Sequence, residues 1–314
     1  MGLSGYSAFD VARTGTLIYA EGDSARTQLT WLDRLGRSQS KIGPIGPFIH
    51  LDLSRDERLV LVERYEGGKG DLWMMDAARG LPTPLTAGPD WSFNGFWSPD
   101  ATQVVYSLGT QRSVDIYRKD VGGAGKQQKL TSFPLGPIAP SDWSLDGRFV
   151  VFAPKHPDGS TDLVFLPLME PELKPVVYRQ GSFPLQQGRI SPDGRWMAYV
   201  SGEAGSLEVF LSPFPNATAK WRVSTAGGIQ PKWRRDGKEL FFLAPDKTLM
   251  AVAIPTTPEQ AGSPTPLFRA DPLEFFGGQR SDYAPSADGQ RFLFNNRVGD
   301  TATSVIQVMV GWQP

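Results

Sequence analysis

Short runs of apolar and β-branched residues recur along this chain, and each is preceded by the same polar turn chemistry. The clearest copy is Ser191-Pro192-Asp193-Gly194, followed by Arg195-Trp196-Met197-Ala198-Tyr199-Val200. Pro presets the backbone at the first corner of the turn. Asp can bond the chain just behind it, and Gly takes the left-handed conformation that closes a hairpin. The apolar run after the turn has the length of a buried strand. The other copies are Ala12-Arg13-Thr14-Gly15, Ser54-Arg55-Asp56-Glu57, Ser98-Pro99-Asp100-Ala101, Ser144-Leu145-Asp146-Gly147, Arg234-Arg235-Asp236-Gly237 and Ser286-Ala287-Asp288-Gly289. Each leads into a strand-like run, from Leu17-Ile18-Tyr19 at the first to Phe292-Leu293-Phe294 at the last.

The turns stand 42 to 52 residues apart. A period of about 45 residues built from strands and turns alone is the pattern of a β-propeller blade. Seven turn copies predict an all-β, seven-bladed β-propeller of four-stranded antiparallel blades, with six blades as the alternative, filling residues 1–314 as one domain. In the second repeat the strands are expected at Ile49–Leu53, Leu59–Val62, Asp71–Asp76 and Pro84–Thr86. Val305–Val310 reads as the third strand of the last repeat with no fourth behind it. This predicts a weak seam between the first and last blades, with only Met1–Ser4 left to help close it. Glu57 and Ala101 stand where the other turns carry Gly. A side chain is costly there, so these two turns are expected to distort or to adopt another type.

Composition narrows the function. A net charge of −1 gives no electrostatic case for a nucleic-acid or anionic-membrane partner. The absence of cysteine excludes disulfides, thiolate metal sites and a Cys nucleophile. No apolar run reaches the roughly 18 residues a membrane helix needs, and Met1–Ser4 show no signal-peptide pattern. A monomer without membrane insertion is expected. The 34 Gly and 27 Pro serve the turns, since strands recur between them.

Candidate chemistry is sparse. His50 and His156 lie in different repeats and outside any metal spacing. No Gly-x-Ser-x-Gly elbow occurs. Gly122-Gly123-Ala124-Gly125-Lys126 lacks phosphate-loop spacing, and Gln127 stands where Ser or Thr is needed. Asp158-Gly159-Ser160-Thr161-Asp162 offers two carboxylates without the remaining ligands of a cation loop. The turn aspartates read as local caps, and Trp97, Trp143 and Trp233 as packing between blades. No catalytic residue, metal ligand or cofactor is assigned. In a propeller the loops leading into the innermost strands share one face, and the Ser-Pro-Asp-Gly turns share the other. The lead-in loops are free to vary, so the ligand is expected on their face. They supply His50, Trp91, Asn94, Gln186, Gln187, Gln230, Arg280 and Asp282. This mixed donor and acceptor set suits a polar ligand.

The repeated turn-and-strand unit resembles the TolB-type, WD40-like propeller repeat. Residues 196–254 more specifically resemble the C-terminal propeller of bacterial eukaryotic-like serine/threonine kinases. The residues that carry this are Trp196-Met197-Ala198-Tyr199-Val200-Ser201, Glu208-Val209-Phe210-Leu211-Ser212-Pro213-Phe214-Pro215, Trp221-Arg222-Val223-Ser224 and Pro231-Lys232-Trp233-Arg234-Arg235-Asp236-Gly237. The resemblance implies a non-catalytic sensor or interaction module that binds a protein, peptide or small polar ligand. If the chain is the sensor region of a membrane kinase, it is extracytoplasmic. The chain has none of the kinase motifs itself. The alternative is an enzyme, a lyase or hydrolase, using the axial funnel.

Overall fold

Six of the turns form by a shared set of bonds. The Ser hydroxyl donates to the carboxylate two residues on, at 2.7 Å in Ser54–Asp56, 2.6 Å in Ser98–Asp100, 2.7 Å in Ser144–Asp146, 2.5 Å in Ser191–Asp193 and 2.6 Å in Ser286–Asp288. The same hydroxyl accepts the backbone N–H five residues on, from Leu59, Gln103, Phe149, Trp196 and Arg291. Arg234 replaces Ser in the sixth turn, and its Nε donates to Asp236 at 2.7 Å. In all six the fourth residue donates its N–H to the carbonyl of the first.

These bonds hold the fourth residue in the left-handed region whatever its side chain. Gly194 has φ 72°, and Glu57 and Ala101 have φ 60° and 57°. The expected distortion at Glu57 and Ala101 is therefore corrected: both keep the common turn and bear its strain. At Glu57 the side chain compensates, since its carboxylate accepts the Ala287 N–H at 2.7 Å and Arg291 Nη2 at 3.2 Å. Ala101 has no such return. Ala101→Gly is expected to stabilise the chain by about 1 kcal/mol, read as a higher urea midpoint at unchanged slope.

The computed structural model describes residues 9–12, 16–21, 26–110, 113–122, 127–132, 138–255, 260–272, 279–299 and 305–310, with only the backbone of 9–12, 16–21 and 305–310. Met1–Ser4, Arg13–Gly15 of the first turn and Gly123–Lys126 of the glycine-rich stretch lie outside the described residues. The chain begins with β1 (Phe9–Ala12), β2 (Thr16–Glu21), β3 (Thr27–Asp33) and β4 (Ser38–Gly46). Five successive four-stranded antiparallel sheets follow. The first blade holds β5 (Phe48–Leu53), β6 (Leu59–Glu66), β7 (Lys69–Asp76) and β8 (Pro82–Pro84). The second holds β9 (Trp91–Trp97), β10 (Gln103–Gly109), β11 (Val114–Asp120) and β12 (Gln127–Ser132). The third holds β13 (Ile138–Trp143), β14 (Phe149–Pro154), β15 (Leu163–Pro167) and β16 (Val176–Arg179). The fourth holds β17 (Leu185–Ile190), β18 (Trp196–Ser201), β19 (Glu208–Pro213) and β20 (Trp221–Arg222). The fifth holds β21 (Ile229–Trp233), β22 (Glu239–Leu243), β23 (Thr248–Ala253) and β24 (Thr265–Arg269).

The sixth blade is made from both ends of the chain. β25 (Tyr283–Pro285) and β26 (Arg291–Arg297) supply its inner strands, and β3 and β4 its outer pair. β26 and β3 run antiparallel from Arg291↔Asp33 to Arg297↔Thr27. This corrects the expectation of seven blades: the described residues form six four-stranded blades, and the alternative count applies. The turns outnumber the blades because the outer half of the first repeat and the inner half of the last make one blade. β27 (Val305–Val310) is not the third strand of the last repeat. It pairs with β2, and with β1 these form a separate three-stranded sheet. Ring closure is correspondingly dense. Leu51 N–H donates to Ser281 O at 2.9 Å, and Asn295 Nδ2 donates to Phe48 O at 2.6 Å. Leu29 and Trp31 of β3 pack with Leu51, Val60 and Met75 of the first blade in one buried cluster.

Candidate functional site

Strand side chains alternate, so residues two apart on an innermost strand project to the same side. Counting back from the first turn residue of each blade, the second position holds Asp52, Phe96, Asp142, Arg189, Lys232 and Ala284. The fourth position holds His50, Asn94, Pro140, Gln187, Gln230 and Asp282. Pairing shifts register near these positions in the first five blades. Asn94, Gln187 and Gln230 take φ of 49°, 55° and 56° there. Three non-glycine residues at one structural position thus bear left-handed strain, a bulge chemistry that re-aims side chains.

The fourth-position residues other than Pro140 form a buried polar layer toward the lead-in side. Gln187 Oε1 accepts the Gln230 N–H at 2.7 Å, and the Gln187 N–H donates to Gln279 Oε1 at 2.7 Å. Gln230 Nε2 donates to Asp282 Oδ2 at 2.7 Å, while its Oε1 accepts the Asp282 N–H at 2.8 Å. His50 Nδ1 accepts the Ser281 N–H at 3.0 Å, so Nε2 carries the proton and donates to Gly95 O at 2.9 Å. Burial lowers the His50 pKa to about 3; nearby Lys232, Arg189 and Arg280 push the same way, against the Gly95 bond. Burial raises Asp282 to about 7, against its bond from Gln230.

The second-position residues lie at the floor of a funnel on the turn face, with a cavity volume of about 220 Å³. Trp97, Trp143 and Trp233 and the turn residues Arg55 and Arg235 line its walls. Carboxylates at the floor tie neighbouring blades: Asp52 Oδ2 accepts the Trp97 N–H at 3.0 Å, and Asp142 Oδ2 the Ile190 N–H at 2.7 Å. Arg189 Nη1 sits 3.6 Å from Asp142 Oδ1, and Nη2 donates to Ser281 Oγ at 2.9 Å. Lys232 Nζ stands 4.0 Å from Asp52 Oδ1, beyond hydrogen-bond reach. Both cations lie over the Phe96 ring, at 4.5 Å for Arg189 and 5.6 Å for Lys232. Burial and the Arg189 charge lower Lys232 to about 7, against Asp52 and Asp142. Burial raises both Asp52 and Asp142, against the two cations.

The expected site residues are not all brought together. His50, Asn94, Gln186, Gln187, Gln230 and Asp282 are buried, all but Gln186 at the fourth position; Gln186 precedes it in β17. Arg280 is half-buried, and its Nη2 donates to the buried Glu63 at 3.2 Å; Glu63 also accepts the Asn94 N–H. Trp91 is exposed and stands apart, at the outer start of β9. The funnel residues Asp52, Asp142, Arg189 and Lys232 were not among the candidates. Their signal was present in the chain: a charged residue inside an innermost strand, always two before the turn. The three tryptophans pack between blades as expected and line the funnel as well.

Chemically, the funnel floor offers two cations, two carboxylates and the surrounding indole rings to a ligand. The hydroxyls of Ser54, Ser98 and Ser286 on its wall donate to turn aspartates. His50 is neutral with both ring nitrogens bonded. Among the described residues no cluster of three or more His, Asp or Glu could hold a metal ion, and no helix is long and apolar enough to cross a membrane.

No protein-family model matches the chain, and no curated protein matches it in sequence. Solved structures do match in shape. A putative TolB from Agrobacterium tumefaciens aligns at a TM-score of 0.70 and 18% identity, over 88% of this chain and 100% of its own. TolB from Acinetobacter baumannii aligns at 0.56 and 17%, over 88% of this chain and 66% of its own. An oligogalacturonate lyase in complex with manganese aligns at 0.53 and 14%, over 92% and 93%. At such identities the likeness is one of fold, and in fold this chain is a TolB-like β-propeller.

Proposed function

We propose that this chain is a non-catalytic binding module that receives a protein, peptide or small polar ligand in the turn-face funnel. The carrying observation is the funnel itself: two buried cations and two carboxylates at the floor, with three tryptophans around them. Aromatic walls over desolvated charges are the composition of a recognition pocket. In this reading the lead-in residues His50, Asn94, Gln187, Gln230 and Asp282 form the rigid layer beneath the ligand, and Trp91 and Arg280 lie outside the contact. The resemblance of residues 196–254 to kinase-associated propellers favours a sensor or interaction role, on the extracytoplasmic side if the chain is part of a membrane kinase.

Selection of displayed peptides on the immobilised chain supplies a ligand with which to test this. Trp233→Ala is expected to weaken the selected ligand at least tenfold, and Trp91→Ala to leave it unchanged. Loss on Trp91→Ala with normal binding by Trp233→Ala would move the site to the lead-in face.

A further inference from the structure

The funnel floor has a polarity that its formal charges hide. Its carboxylates are occupied: Asp52 faces the Trp97 N–H and Lys232, and Asp142 faces the Ile190 N–H and Arg189. Two buried side-chain atoms of the funnel lining lack a partner, Arg189 Nε and Trp97 Nε1, and both are donors. Arg189 is 6% exposed and Trp97 5%. Lys232, 7% exposed, has its nearest carboxylate oxygen at 4.0 Å. The other two funnel indoles are satisfied within the chain, Trp143 by Gly147 O at 3.2 Å and Trp233 by Arg189 O at 3.1 Å. A buried donor without an acceptor is costly, and a charged one more so. Two of the unmet donors share one region: Arg189 and Lys232 flank the Phe96 ring, while the Trp97 indole packs beside them with Leu61, Leu72 and Val104 between the first two blades.

We propose that the funnel floor binds a small monocarboxylate group, with Lys232 and Arg189 as its donors and the neighbouring Trp97 indole as its reporter. This rests on the funnel being the binding site, and it names the chemistry received there. A carboxylate supplies acceptors and no donor, which answers the unmet set. A single negative charge fits best, because Asp52 and Asp142 already balance the two cations and repel a dianion such as sulfate more strongly. The group can belong to a free metabolite or to the acidic end of a larger ligand.

The test uses sodium acetate and sodium sulfate at constant ionic strength and pH 6, with the indole N–H resonances as readout. Acetate is expected to shift the Trp97 indole with a Kd of about 0.1–10 mM. Lys232→Met, which keeps the stem and removes the charge, is expected to weaken acetate at least tenfold, and sulfate to bind the parent chain at least tenfold more weakly than acetate. An unmoved Trp97 indole at 50-fold higher acetate, equal acetate affinity in folded Lys232→Met, or tighter sulfate binding would each overturn the proposal. If the selected peptide still depends on Trp233 while acetate is silent, the carboxylate inference falls and the funnel stands.

Discussion

A chain lacking residues 1–46 is expected to show no cooperative unfolding transition. Moving residues 27–46 behind Arg297 through an Asn-Gly link is expected to restore one. The truncation removes β3 and β4, and with them Leu29, Trp31, Leu32 and Ile42, all buried. At about 2–5 kcal/mol for each large buried side chain, the loss is on the order of 10 kcal/mol, the size of a whole domain's stability. It also strips β26 of its partner along seven registered residues. The rearranged chain, residues 47–297 then 27–46, tests connectivity instead. Arg297 pairs directly with Thr27, so a two-residue turn can join them as a hairpin. Its urea transition is expected to keep the slope of the parent ring. If the rearranged chain stays unfolded while the 1–46 deletion folds, the six-bladed closure through β3 and β4 is wrong.

The second large effect is on pH. His50 has a pKa of about 3 in the fold against 6.5 when free. As pH falls through 6.5 the unfolded chain takes up this proton and the folded chain does not. The stability held above pH 6.5 is therefore lost progressively, at about 1.4 kcal/mol per pH unit, to a total on the order of 5 kcal/mol near pH 3. Asp282 runs the other way: its folded pKa of about 7 lies above 3.8, so its contribution is full below pH 3.8 and is lost as pH rises toward 7. The two oppose each other between pH 3.8 and 6.5, and the parent curve alone hides both. The stability difference between the parent and His50→Gln isolates the histidine. The parent should lose more stability than the variant from pH 6 to pH 4. An imidazole that titrates near 6.5 in the folded chain would refute the assignment.

The blades were legible because their turns are local chemistry. Ser191 bonds Asp193, and Gly194 closes the turn, within four residues. The strands of the second repeat lie within two residues of expectation at nearly every end, because each apolar run abuts such a turn. The blade number was not legible. Whether the run after Thr27 pairs with its own repeat or with Arg291–Arg297 depends on a contact spanning most of the chain, and no local pattern encodes it. Glu57 and Ala101 misled for the opposite reason, since the neighbouring Ser–Asp bonds overrule the preference of one residue. At the site, His50, Gln187 and Gln230 were picked out as polar residues near the axis. Lys232 and Arg189 were passed over as strand residues, because only ring closure brings them over Phe96 from different blades.

The most direct test of the binding site is the indole ¹⁵N–¹H spectrum of the chain titrated with the tightest displayed peptide. Trp97, Trp143 and Trp233 line the funnel, while Trp91 lies exposed at the start of β9. Binding in the funnel should move the Trp97, Trp143 and Trp233 resonances together and leave Trp91 in place. A shift of Trp91 with the three funnel indoles unmoved would contradict it.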